Sequence, residues 1–432
     1  MEIKVFKFGG ASVQHAAGIR NLTTILRNCA DDPVVVVISA MGKTTNDLEA
    51  VLGHYMEMDA IPMIRAFEKV RKYHMDILDE LFLGKEHEVF QVIDSIFNQL
   101  RGCIRQGHLY KSPPADYDYE YDRLVSYGEL ISSAIVHYYL VDQGLHVTCF
   151  DVRDLIRTDS SYRDARVLWE VTSPLIQEAV SGCFSKDQEQ GTIFLTQGFI
   201  GSDMKGNTTT LGREGSDYSA AIFAWCLKVK EMTIWKDVPG IMNADPKWMK
   251  EAVKIDTLSY REAIELAYYG ASVIHPKTIK PLENANIVLR VKSFLDPAAE
   301  GSVIRNLLNW TISIPIFIRK QKQVLISLSS RDFSFIMEEN LSQIFNILAT
   351  YRVKVNVMQH SAISFSFCVD ADPLKIPLLL AHLQKDYQTR FNEGLELITI
   401  RHYHPDTAES LIGNRNVLME QKNRSTLQMV VA

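Results

Sequence analysis

Val34-Val35-Val36-Val37-Ile38 is an unbroken run of five β-branched residues. A strand with one wet face alternates polar and apolar residues, so an uninterrupted run reads as a strand buried on both faces. That environment exists inside a parallel sheet covered by helices, and it makes the chain an α/β protein. The segment that follows, Ser39-Ala40-Met41-Gly42-Lys43-Thr44-Thr45-Asn46, is polar. It leaves the C-terminal end of the strand, where open α/β sheets bind small molecules. Its Gly-Lys-Thr invites a phosphate-loop reading, which fails because Val37 stands where that loop needs its first glycine. The hydroxyls and Asn46 remain as candidate ligands.

Two more loops have the same character. Glu2 to Phe8 reads as a strand, Gly9-Gly10-Ala11-Ser12 follows at once, and a helical stretch runs from His15 to Cys29. Strand, glycine turn and helix start make a phosphate cradle, with Lys7 at the strand's end to meet the charge. The segment Gly198 to Ala221 packs Thr208, Thr209, Thr210, Gly212, Arg213, Gly215, Ser216 and Asp217 into a polar loop before an apolar helix from Tyr218 to Leu227. Its glycines allow close backbone approach, and Arg213 can clamp a carboxylate or phosphate through two parallel bonds. Ser216-Asp217 is placed at the helix N-cap, where an anion is favoured. Taken alone, the segment is also compatible with an ordinary capped surface turn.

Together these motifs resemble the aspartate kinases. Lys7 to Val13 (KFGGASV), Ser39 to Leu48 (SAMGKTTNDL), Ser126 to Ala134 (SYGELISSA) and Thr208 to Ala221 (TTTLGREGSDYSAA) carry the likeness. Ile234 to Pro246 (IWKDVPGIMNADP) and Leu258 to Leu282 continue it in order, so that it covers essentially the whole chain. The resemblance implies an amino-acid-kinase fold, a central mostly parallel sheet flanked by helices. Two β-α-β-β ACT-like modules would follow it.

Residues 1–300 read as the catalytic domain, with a mostly helical insertion at about 52–122 in which Ile77, Leu78, Leu81 and Phe82 recur at helical spacing. The insertion ends in Lys111 to Asp122, rich in Pro, Asp and Tyr, which reads as a solvated surface loop. A linker at Phe294 to Ser302 leads to residues 301–432, where short strands and helices alternate as in two ACT modules, the second shortened and split by the first. The 52 acidic and 46 basic residues give a net charge of −6 with no basic stripe, against nucleic acid as main partner. No apolar run spans a membrane, the first residues lack a signal peptide's apolar core, and six scattered cysteines without a CxxC pair suggest neither zinc nor disulfides. A cytoplasmic enzyme is expected, with no metal site of its own.

The resemblance implies phosphoryl transfer from ATP, with its Mg²⁺, to the side-chain carboxylate of L-aspartate. This is the first step of the aspartate-derived amino-acid pathway. Lys7 and Asp217 would be catalytic, with Asp217 holding the active-site cations. Thr45, Phe199, Gly215 and Ser216 would shape the aspartate pocket, Glu129 would receive the ammonium and Arg213 the α-carboxylate. Lys7, Gly9, Gly10, Lys236, Asp237, Met242, Lys247 and Ser272 would line the nucleotide site. The family commonly has threonine at Lys236, tyrosine at Met242 and lysine at Ser272. Lys236 or Lys277 would replace the lost charge, Lys236 being the expected one. Glu214 stands where many relatives have glycine or asparagine, with its charge expected toward solvent.

An effector amino acid is expected at Asn356 and Ser361. Lysine-sensitive relatives usually carry an aspartate at the place of Asn356, so lysine inhibition should be weak or altered. A homodimer or homotetramer through the ACT modules is also implied. Three other readings compete: a kinase of another acidic amino acid, a sensor that has lost catalysis, and a fused homoserine dehydrogenase. The sensor should have lost Lys7, Arg213 or Asp217, which are present. The fusion has only about 130 residues for a second enzyme and no GxGxxG.

Overall fold

A computed structural model describes residues 2–29, 32–109, 116–184, 192–271, 274–307, 314–332, 334–404, 411, 413 and 415–432. The chain forms two compact units. The first comprises Met1–Ile241, Lys254–Ile264 and Val273–Leu308, and the second Met242–Val253, Glu265–Ser272 and Asn309–Ala432.

The first unit is built on an eight-stranded sheet. Its order is Thr257–Ser259, Ser302–Arg305, Val288–Ser293, Glu231–Lys236, Lys4–Phe8, Val34–Ile38, Ile193–Gln197 and Val147–Phe150. Every neighbouring pair is parallel except Val288–Ser293 with Ser302–Arg305. All five residues of Val34–Ile38 are buried, as a strand covered on both faces requires.

Lys4–Phe8 lies between Val34–Ile38 on one side and Glu231–Lys236 on the other. The strand order therefore reverses here, and the crevice beyond the carboxyl ends of these strands is where such sheets take ligands. Lys7 pairs in register with Val37 and Ile234, which brings the glycine loop, the Ser39–Thr45 loop and Lys236 to one edge.

The expected insertion consists of the helices Ala60–Leu81 and Glu88–Leu109, with Tyr117–Val125 following them. It has no core of its own. Phe67, Ile77, Leu78 and Phe97 pack into the same cluster as Phe8, Val36 and Ile38. The surface loop expected over Lys111 to Asp122 is overturned for Tyr117 onward, which is helical with Asp122 fully buried. Residues 111–115 lie outside the described ones. The expected linker also differs, because Ser302–Arg305 is a strand of the first sheet and that unit runs on to Leu308. No helix among the described residues is long and apolar enough to cross a membrane.

The second unit carries an antiparallel six-stranded sheet in the order Val355–His360, Ser364–Asp370, Ile316–Ser329, Gln388–Arg401, Thr426–Val431 and Val417–Lys422. Helices Glu338–Thr350 and Lys375–Asp386 bury Ile344, Leu348, Leu379 and Leu383 in the cluster that holds Ile326, Phe365 and Phe367. The two 14-residue strands change register between Lys320 and Gln323. On one side of that irregularity lies a complete β-α-β-β unit, and on the other the strands extend to pair with the C-terminal hairpin. The expected short helix from Asp406 lies mostly outside the described residues.

Candidate active site

A cleft of about 470 Å³ opens at the reversal point of the first sheet, lined by residues of all three sequence loops. Lys7, the penultimate residue of its strand, sends its ammonium to Asp217 Oδ1 at 2.7 Å. Both residues are buried, at 9% and 3% exposure. Burial pushes the Asp217 carboxyl up, but the charges of Lys7 and then Lys236 outweigh it and hold Asp217 below the ordinary range. The cleft therefore keeps an ionised acid and a cation out of water, ready to act on charge that develops between them.

Glu129 supplies a group of opposite character. It lies in the first turn of helix Tyr127–Asp142 and is 2% exposed. One carboxylate oxygen accepts from the Ala40 backbone N–H at 3.2 Å, while Oε2 has no hydrogen-bond partner among the described residues. Burial pushes its pKa to about 8, against the Ala40 bond and the field of Lys7. A Cβ on Gly128 would come within 3.1–3.3 Å of Ala40, Thr44 and Leu48, so glycine is what lets this helix bring Glu129 to the cleft. A buried carboxyl group with one oxygen still to be bonded, facing a cleft, suits an incoming ammonium.

Helix Gly215–Leu227 begins earlier than its sequence indicates. Its N-cap is Glu214, in left-handed backbone with φ 54°, so Ser216 and Asp217 lie in the first turn and neither is the cap. Gly215 is required because a Cβ there would meet Phe199 at 2.7 Å. Phe199, itself at φ 69°, lines the cleft with Thr45 and Ser216. Arg213 is exposed at the rim and makes no hydrogen bond or ion pair among the described residues.

Glu214 corrects the sequence expectation. It lines the cleft, and its Oε2 is shielded from solvent without a hydrogen-bond partner among the described residues. Two of the three threonines are structural: Thr209 hydrogen-bonds Thr158 at 2.7 Å, and Thr210 donates its hydroxyl to Asp122 at 2.6 Å.

Asp122, Tyr121 and Arg163 are site residues that the sequence reading missed. Asp122 also accepts from the backbone N–H groups of Thr210 and Arg163. Burial raises its pKa to about 6 against those bonds. Tyr121 and Arg163 line the cleft. The available signal was Tyr117 and Tyr121, four residues apart as on one helix face, in a segment whose Pro-Asp composition suggested a loop.

On the nucleotide side, Gly9 caps the short 3₁₀ turn Gly10–Val13. Helix Ala16–Arg27 follows, close to the expected His15 to Cys29, capped by the His15 ring accepting from Gly18 N at 2.9 Å. A Cβ on Gly10 would meet the Ala40 carbonyl at 2.8 Å, and one on Gly9 the Lys7 ammonium at 3.3 Å. Lys236 is half-buried and acts on Asp217, while Asp237 is exposed. Lys277 is engaged in an ion pair with Asp164. Met242 and Lys247 fall in the second unit, half-buried and exposed respectively. Ser272 lies outside the described residues. No group of three or more metal-ligating side chains occurs among the described residues.

Residues 2–293 match the model of the Amino acid kinase family. Lysine-sensitive aspartokinase 3 of Escherichia coli (strain K12) is 31% identical over 412 residues, 92% of this chain and 87% of that one. The chain belongs to the aspartokinase branch of the amino acid kinase family. The fold agrees with solved aspartokinases. The crystal structure of E. coli aspartokinase III in complex with aspartate and ADP (R-state) aligns with a TM-score of 0.83 at 28% identity, covering 100% of this chain and 96% of that one. The lysine and aspartate complex (T-state) of the same protein aligns at 0.80 and 27%, with the same coverage.

Within this aspartokinase fold, Asn356 is buried and fully engaged. Its amide donates to Gln323 at 2.8 Å and to Asp370 at 3.0 Å, and its carbonyl accepts from the Lys320 ammonium at 2.9 Å. Ser361 is exposed and hydrogen-bonds Ser364.

Proposed function

We propose that this aspartokinase transfers the γ-phosphoryl group of ATP to the side-chain carboxylate of L-aspartate, forming 4-phospho-L-aspartate as the first step toward lysine, threonine and methionine. The observation that carries the reading is one cleft holding the buried Lys7–Asp217 pair and the buried Glu129, whose Oε2 has no hydrogen-bond partner among the described residues. Aspartate carries one ammonium and two carboxylates. Glu129 receives the ammonium and Arg213 the α-carboxylate, while Thr45, Phe199, Gly215 and Ser216 shape the space between. The side-chain carboxylate is then directed toward Lys7.

Its oxygen attacks the γ-phosphorus, an O–P bond forms, and the bond to the leaving ADP oxygen breaks. No general base is needed, because the attacking carboxylate is ionised at pH 7 (reference pKa about 3.9). Lys7 neutralises charge on the transferring group, the Gly9 and Gly10 N–H groups meet the phosphates, and Lys236 supplies a second cation. Asp237 follows Lys236 directly on that side. Asp217, ionised at the cleft, would be the side chain to face a magnesium ion carried by the nucleotide, which would supply further charge neutralisation when bound.

The test is a hydroxamate assay for acyl phosphate with ATP, magnesium and L-aspartate, run also with L-glutamate. Product from aspartate and none from glutamate is expected. The reverse would assign a different acidic substrate, and no product from a folded protein that still binds an amino acid would favour the sensor reading.

Regulation belongs to the same proposal. The antiparallel unit resembles ACT modules, and its match to a lysine complex supports an amino-acid effector, with a dimer or tetramer through these modules. Asn356 and Ser361 would face that effector. The ammonium of the chain's own Lys320 already occupies the Asn356 carbonyl, so lysine gains little there.

A further inference from the structure

Arg163 holds a backbone conformation, φ 66°, that favours glycine. Among the described residues nine non-glycine residues have positive φ, and three of them, Arg163, Phe199 and Glu214, line this one cleft. Such strain persists where the surroundings over-determine it and where the side chain is needed. The surroundings do so here. Both oxygens of the buried Asp122 accept from the Arg163 N–H, at 3.1 and 3.0 Å. The next residue, Asp164, is ion-paired to Lys277, and Ala165 N donates to the Thr210 carbonyl at 2.9 Å. Glycine would satisfy every one of these backbone constraints without strain. The constraints explain how the conformation is held, and they leave the arginine side chain to be explained.

Its guanidinium lies 4.6 Å over the Tyr121 ring and 5.5 Å over that of Tyr117. Tyr121 is itself fixed by donating its hydroxyl to Glu49 at 2.8 Å. The charge has one ion-pair partner among the described residues, Asp118 at 3.2 Å, with both side chains nearly half exposed. Pairs of that kind contribute little and exchange readily. Arg163 is therefore a cation on a rigid aromatic platform at the cleft wall, loosely paired on the solvent side. Of the other titratable side chains in the cleft, Lys7 is matched by Asp217, Glu129 and Glu214 are carboxyl groups that cannot bind a carboxylate, and Arg213 is the remaining cation.

We propose that Arg163 binds the non-reacting carboxylate of the amino-acid substrate together with Arg213, and so selects substrates that carry that carboxylate. This rests on the aspartokinase reading above. One guanidinium, on an exposed loop, would order itself only on binding. A second, already held against Tyr121, reduces that ordering cost. Both carboxylate oxygens can then be bonded, and the charge-assisted bonds leave Asp118 for the ligand.

The test compares wild type with Arg163→Gly in the hydroxamate assay, using L-aspartate and its α-amide, in which the non-reacting carboxylate is uncharged. Glycine adopts the observed φ freely, so the variant should melt at the wild-type temperature or above. The KM for aspartate should rise tenfold or more, with the KM for ATP within twofold. The wild-type preference for aspartate over the α-amide should shrink by a similar factor. Arg163→Lys, which keeps charge but not the fork, should fall between. An unshifted KM for aspartate, or a parallel rise for aspartate and α-amide that leaves the preference intact, would overturn the inference. The second result would make Arg163 a packing residue. Wild-type protein that forms no acyl phosphate from aspartate would overturn the aspartokinase reading and this inference with it, whereas normal wild-type turnover with an unaltered variant overturns this inference alone.

Discussion

Glu129 and Lys236 were both read from the sequence, yet their surroundings were not. With a pKa near 8, Glu129 is protonated in the ligand-free protein at pH 7, and it must ionise to pair with an ammonium. Aspartate binding should therefore release a proton, and kcat/KM for aspartate should climb as pH rises toward 8. Glu129→Gln should raise the KM for aspartate at least tenfold and flatten that climb. A variant that keeps the wild-type pH profile would remove Glu129 from the pocket. Lys236 acts on Asp217 while Lys277 is held by Asp164, so of the two lysines Lys236 is the one whose charge reaches the cleft pair. Lys236→Ala should raise the KM for ATP or lower kcat by tenfold or more, about 1.4 kcal/mol. Unchanged steady-state kinetics would sink the substitution idea. Glu214 shows the limit of such reading: sequence gives its charge, but its direction follows from a left-handed cap that no local pattern encodes.

At the scale of elements, the inserted helices are legible and their purpose is not. Apolar spacing finds helix Ala60–Leu81, since Ile77, Leu78 and Leu81 all face the core. The same helix brings His74, fully buried, to within 3.2 Å of the Thr44 hydroxyl beside Thr45, with its other ring nitrogen at the Val70 carbonyl. Burial lowers its pKa from 6.5 to about 4. Between those values the unfolded chain takes up a proton that the folded one refuses, so stability is complete above pH 6.5 and is lost as pH falls. Linkage puts the loss at about 2 kcal/mol by pH 5. The melting temperature of wild type should therefore drop more between pH 7 and pH 5 than that of His74→Gln. Equal drops in the two proteins would refute this. Tyr117–Val125 was misread for a physical reason: Pro and Asp next to it look like solvent-exposed turn formers, whereas Asp122 is buried because Thr210 and Arg163 satisfy it from distant sequence. Pairings over 41 and 88 residues leave no periodic trace.

On the scale of the whole molecule, the α/β class and the antiparallel second unit follow from strand runs such as Val34–Ile38 and from the alternating strands and helices after residue 316. The regulatory expectation can be tested directly. Inhibition by lysine should need concentrations well above micromolar, and Asn356→Asp, which adds a charge between Lys320 and the sheet, should change that sensitivity. Strong micromolar inhibition of wild type would show that Asn356 does not set lysine affinity. The path of the chain was the least legible feature, because compactness is a property of contacts and not of composition. The second unit is assembled from three separated segments, and the first takes back Ser302–Arg305 after the expected linker. Ser302 there accepts from Ile241 N at 2.8 Å and donates to the Ile255 carbonyl at 2.5 Å, closing an edge of the catalytic sheet. Five covalent crossings tie the two units together, so neither can be freed by one proteolytic cut or a premature stop codon. A stop codon after Leu308 would leave every segment of the first unit in the chain, together with two stranded pieces of the second, Met242–Val253 and Glu265–Ser272.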